Sequence, residues 1–152
     1  METLNPDDVF YIILHCSATK VTSNCTPEQM RADHLKRGFE DIGYHYYIRK
    51  DGTVTQHRLL SEVGAHCKPW NRYSIGVCYE GGLDAEGTPS NTLTAAQWNK
   101  MTDLLSYLIK QFPRAHIRGH RDMPSSTPKD CPCFDARQLF GHLENPLYKD
   151  EE

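Results

Sequence analysis

The sequence predicts an α/β fold: one domain, built as a central mixed β-sheet flanked by helices. Three observations predict it. The runs 9–14 (VFYIIL) and 74–79 (SIGVCY) are rich in β-formers and do not alternate, as in strands covered on both faces. A capped amphipathic helix begins after Thr94. The elements follow the order β–α–β–β–β–α–β–α, which layers helices on a sheet.

Taken in order, Val9 to Leu14 is the first strand, with His15 at its C-terminal end. Thr26-Pro27-Glu28-Gln29 starts a helix: Thr as N-cap, Pro in the first helical position, Gln closing a capping box. Gly38 stops it after about three turns. Tyr44–Ile48 and Thr53–Gln56 flank Asp51-Gly52, a hairpin signature. Ser74–Tyr79 is the second buried strand, and a Gly- and Pro-bearing loop follows from Gly81 to Asn91. Thr94 and Gln97 form a second capping box. Behind it Trp98, Met101, Leu105, Leu108 and Phe112 recur near a 3.6-residue period, until Pro113 ends the helix. Arg114–Arg118 is a short strand, Met123–Cys133 a proline-rich loop, and Asp135–His142 a short helix.

The 152 residues fit a single domain, with a core over 9–142 and loose termini at 1–8 and 144–152. A formal charge of −3, from 17 Lys+Arg against 20 Asp+Glu, leaves no electrostatic footprint for nucleic acid or an anionic membrane. The longest apolar run, Val9–Leu14, is far too short for membrane insertion, which takes about 20 residues. A monomer is the expected state. The start of the chain is acidic and polar, without the basic and apolar regions of a signal peptide. The expectation is therefore synthesis in a reducing cytoplasm, with Cys16, Cys25, Cys67, Cys78, Cys131 and Cys133 mostly free thiols.

Of the eight histidines, His57 and His142 read as surface residues and His116 as packing. His34 reads equally as a hydrogen-bonding support or as having no role. His120 and Cys131 differ in kind, because the segment joining them is too rich in proline to be a regular element. Imidazole and thiolate suit a borderline-soft ion such as Zn²⁺. They equally suit a cysteine nucleophile served by a histidine base, and spacing alone does not separate the two.

Several short motifs then occur in one order: Arg31-Ala32-Asp33-His34, Arg37-Gly38-Phe39, Asp41-Ile42-Gly43-Tyr44-His45-Tyr46-Tyr47-Ile48, Asp51-Gly52-Thr53-Val54, Val63-Gly64-Ala65-His66, Trp70-Asn71, Ser74-Ile75-Gly76-Val77, Gly119-His120-Arg121-Asp122 and Cys131-Pro132. Over residues 9–135 they resemble the zinc-dependent N-acetylmuramoyl-L-alanine amidases of the phage-lysozyme and peptidoglycan-recognition-protein family. The resemblance implies one Zn²⁺ per chain held by His15, His120 and Cys131, with an open position for water. It implies hydrolysis of the amide between N-acetylmuramic acid and L-alanine, with peptidoglycan as the partner. Tyr44 and Lys129 match positions used for catalysis: Tyr44 to position or deprotonate the water, Lys129 to stabilise the oxyanion. His45, His66, Trp70 and Asn71 are the candidates for lining a glycopeptide groove. Cys133 departs from the family pattern, where Gly or Ser is more usual. Without a signal peptide, such an enzyme would reach the wall through a membrane lesion or by dedicated export.

The alternatives on the same fold are a non-catalytic peptidoglycan-binding module and a regulator that binds another protein. Binding-only members typically lack the cysteine ligand, which this chain keeps. A papain-like site fits poorly, because a Cys-Pro loop has no helix N-terminus to activate the thiol.

Overall fold

The computed structural model describes residues 1–124 and 130–149. Its main sheet has five strands: β1 (Tyr11–Cys16), β3 (Tyr46–Ile48), β4 (Val54–Gln56), β5 (Ser74–Tyr79) and β7 (His116–Gly119), in the order β4-β3-β5-β1-β7. All pairs are parallel except the β3–β4 hairpin, so the sheet is mixed as expected. A second, two-stranded sheet joins β2 (Thr19–Lys20) to β6 (Gly82–Leu83). The helices are α1 (Pro27–Lys36), α2 (Ala95–Gln111) and α3 (Ala136–Phe140). No helix among the described residues is long and apolar enough to cross a membrane.

Strands β1 and β5 lie at the centre and are buried almost throughout, which is why neither alternates. Side chains of a strand point to opposite faces in turn. Ile12, Leu14 and Cys16 of β1, with Ile75, Val77 and Tyr79 of β5, share the main core with Met101, Leu105 and Leu108 of α2 and Phe140 of α3. On the other face, Tyr47 and Cys78 pack with Met30 of α1, and Ile13 packs with Cys67 and Met123. His15 therefore points away from the main core, to the thinly covered face, near the C-terminal end of a parallel strand.

The second capping box forms in full: Thr94 Oγ1 accepts from Gln97 N–H at 3.1 Å, and Gln97 Oε1 accepts from Thr94 N–H at 3.0 Å. The Gln97 amide also donates to the Ile48 and Glu80 carbonyls, tying the helix start to the strand ends. At α1 only the Thr26 arm forms; the Gln29 amide turns forward to Asp33. Trp98 is 37% exposed and stacks on Phe140 at the rim of the core, not inside it.

The termini are better anchored than composition suggests. Leu4 is buried and donates its N–H to the Ser61 carbonyl. Glu144 is buried too: its carboxylate accepts from Ile117 N–H at 3.0 Å and meets His116 Nδ1 at 2.9 Å. It satisfies a backbone donor on the outer side of β7, a sheet edge otherwise open to pairing. The expected strand 114–118 begins at His116, and Arg114 instead lies near the Phe10 and Tyr148 rings.

Glu80, following β5, is 2% exposed and anchors the opposite end of the sheet. It pairs with Arg49 at 2.8 Å and accepts from the N–H groups of Cys25 and Lys50. Burial raises its pKa, but the guanidinium and the two N–H bonds outweigh that, and the net shift is downward. We predict that Glu80→Ala costs about 3 kcal/mol at neutral pH by stranding these partners. A depressed carboxyl pKa adds stability above the ordinary value of about 4.3, and that stability is lost as the folded form titrates. The deficit relative to wild type should therefore shrink in acid, as urea melts at pH 7 and pH 3 would show.

Candidate active site

Three chain segments converge beside the end of β1. His15 is 1% exposed and its imidazole stands next to that of His120, with ring centroids 4.8 Å apart. His120 opens a short 3₁₀ turn directly after β7. Asp122 closes that turn by accepting from Gly119 N–H at 2.8 Å, which explains the Gly-His-Arg-Asp motif as a local fold. Gly119 has a steric reason to be glycine: an added Cβ would lie 2.7 Å from Pro132 Cδ. The Cys131-Pro132 turn can thus settle on the end of β7, held by Arg121 N–H to the Cys131 carbonyl and by the Tyr79 hydroxyl to the Pro132 carbonyl.

His15, His120 and Cys131 each offer a ligand atom, all within 4.8 Å of one another. His15 Nδ1 is 3.9 Å from Cys131 Sγ. A tetrahedral zinc would hold such donors about 3.3–3.6 Å apart, so small side-chain movements bring them to one ion. The donor chemistry fits as well. Burial, reinforced by the charge of His120, lowers the His15 pKa well below its ordinary value and keeps a lone pair free. Cys16 N–H donates to Cys131 Sγ at 3.2 Å, which fixes the position of the sulfur. Three donors match the open pattern of catalytic sites, whereas structural zinc sites close with four.

Tyr44 lies against His15, ring centroids 5.0 Å apart, on the wall of a groove of about 610 Å³ that has the three donors at its base. Burial, then the neighbouring Cys78, raises its pKa well above the ordinary value, so it is a phenol and a hydrogen-bond donor. His34 holds this stretch in place: its Nδ1 accepts from Gly43 N–H at 2.9 Å, and its ring packs on Tyr44. Lys129, the other catalytic candidate, lies outside the described residues.

Of the four substrate candidates, the structure brings His66 and Asn71 to the groove and keeps His45 and Trp70 off its walls. His45 is fully buried. Its Nδ1 accepts from Gly76 N–H and its Nε2 donates to the Glu62 carbonyl, so both ring nitrogens serve the backbone. Trp70 donates its indole N–H to the Pro124 carbonyl and packs edge-on against Tyr11. Asn71 Oδ1 accepts from the N–H groups of both His66 and Cys67, bracing the loop beneath the groove. Arg37, Phe39 and Lys68 also line the groove and were not singled out as site residues by the sequence reading. Arg37 follows α1, its guanidinium over the Phe39 ring, and no periodicity marks either residue.

All six cysteines are free thiols. Cys133 has φ +69°, a left-handed conformation that suits glycine. Its Sγ lies 3.9 Å from that of Cys16, and its pKa is pushed up to about 12 by burial and this neighbour.

The family model described as N-acetylmuramoyl-L-alanine amidase matches residues 5–134. The chain is 42% identical over 129 residues to the endolysin of Klebsiella phage KP32, covering 85% of this chain and 83% of that one. It is 39% identical to the endolysin of Escherichia phage T7, with the same coverage. Among solved structures, the N-acetylmuramoyl-L-alanine amidase LysC from Clostridium intestinale is similar with a TM-score of 0.74, at 27% identity, over 91% of this chain and 87% of that one.

Proposed function

Since the chain belongs to the N-acetylmuramoyl-L-alanine amidase family, we propose that it hydrolyses the amide between N-acetylmuramic acid and L-alanine in peptidoglycan, as a monomer carrying one Zn²⁺. The observation that carries this reading is the convergence of His15, His120 and Cys131 at the base of an open groove. A zinc ion bound there supplies a water with its pKa lowered towards ~7 and a Lewis acid for the scissile carbonyl.

The remaining chemistry belongs to the chain's own residues. Tyr44, held as a phenol, donates a hydrogen bond at the reacting centre and orients the nucleophile; it does not serve as a simple base. Lys129 is assigned to the oxyanion by its match to the family pattern, two residues before Cys131 on the ligand loop. Arg37 and Lys68 add positive charge along a groove that must admit a carboxylate-bearing stem peptide. The site of action is the cell wall, where the phage endolysins it resembles act.

The purified protein is expected to carry about one zinc per chain. Chelation should abolish release of stem peptide from purified peptidoglycan, and readdition of zinc should restore it. The products should show new L-alanine amino termini. New reducing sugar ends would identify a glycosidase, and a metal-free protein that binds the wall without cutting it would identify a binding module; either outcome would overturn the reading.

A further inference from the structure

His66 does more in this structure than line the groove. Its Nδ1 lies 2.8 Å from His15 Nε2, the two rings being perpendicular. Its Nε2 lies 3.3 Å from Ser74 Oγ, and Ser74 Oγ donates to the Trp70 carbonyl at 2.8 Å. A carbonyl only accepts, so the direction of the whole chain is set from its outer end. Ser74 spends its single hydrogen on Trp70 and must accept from His66. His66 therefore carries its proton on Nε2 and leaves Nδ1 bare. His15 must then carry its proton on Nε2, and its Nδ1 keeps the lone pair on the side facing Cys131.

We propose that His66 is a positioning residue: with Ser74 and the Trp70 carbonyl it presets the His15 tautomer, so that Nδ1 is ready for a metal before any metal arrives. The inference rests on the zinc reading above, and extends it to residues that touch neither ion nor substrate in this role.

The fold is built around this chain of bonds. An added Cβ on Gly76 or Gly64 would lie 2.7 Å from His66 Cδ2, so two glycines make the slot for the ring. Asn71 fixes the His66 backbone from the far side. Ser74 is fully buried, with Trp70 at the start of the same short turn. Ligand histidines typically depend on such a partner for ring orientation and tautomer.

The test is zinc affinity, measured by competition with a chelator, together with ¹⁵N spectra of the histidine rings in the metal-free protein. Wild type should show His15 as the Nε2–H tautomer alone. His66→Leu should weaken zinc binding about 10–100-fold. His66→Asn has similar bulk but keeps an acceptor oxygen near the Nδ1 position, and should restore most of the affinity. Ser74→Ala removes the acceptor for His66 Nε2–H, and should bring the Nδ1–H form of His15 into the metal-free spectrum. A folded His66→Leu that binds zinc like wild type, or an Asn variant no better than Leu, would overturn the proposal. So would an unchanged His15 tautomer in Ser74→Ala, which also decides the matter if His66→Leu does not fold. A wild type that binds no zinc would instead sink the amidase reading, while the tautomer measurement would still report on the relay.

Discussion

Cys131→Ala should yield a folded protein with less than about a tenth of the wild-type zinc and amidase activity reduced roughly 10³-fold or more. In the proposed site the sulfur would be the one anionic donor, since cysteine binds zinc as its thiolate; without it only the two imidazoles would be left. The structural cost is small. Cys131 is only partly buried, and its turn is held by backbone bonds and by Pro132 against Gly119, none of which needs the thiol. Cys16 N–H loses its acceptor, a loss of about 1 kcal/mol. Metal content by elemental analysis, activity on purified peptidoglycan and a thermal melt together check this. Wild-type zinc content with full activity in a folded variant would reject the ligand assignment.

Tyr44→Phe should separate catalysis from metal binding. The ring contacts with His15 and His34 survive the change, and the hydroxyl is not among the three donors. Zinc content and melting temperature are therefore expected to stay within error of wild type. Turnover should fall about 10²–10³-fold, the usual cost of losing one positioned donor or proton-transfer group at a reacting centre. The loss should appear in kcat and not in KM, since the interaction matters most as charge develops. A variant that loses zinc would make Tyr44 part of the metal site, and one that keeps full turnover would remove it from the mechanism.

What could be read from the sequence was what rests on local chemistry. The buried central strands, both N-caps, the Asp-Gly hairpin and the helix behind Thr94 follow from side-chain periodicity and capping, which act over a few residues. The three metal candidates were legible through the family resemblance, His15 at the end of the first strand and His120 and Cys131 within motifs, and the structure shows why those two motifs are what they are: Asp122 closes the turn of His120, and Gly119 leaves room for Pro132.

The division of labour among the histidines was decided only in three dimensions. His45 and His66 look alike on paper. One is consumed by the Gly76 N–H and the Glu62 carbonyl, whereas the other is bonded to His15 across 51 residues of chain. Glu144 reads as part of a loose tail, yet it closes the edge of β7. A side chain's role depends on which hydrogen-bonding groups surround it once buried, and those partners come from strands distant in sequence. Periodicity reports which face a residue occupies; the sheet order β4-β3-β5-β1-β7 decides what it meets there.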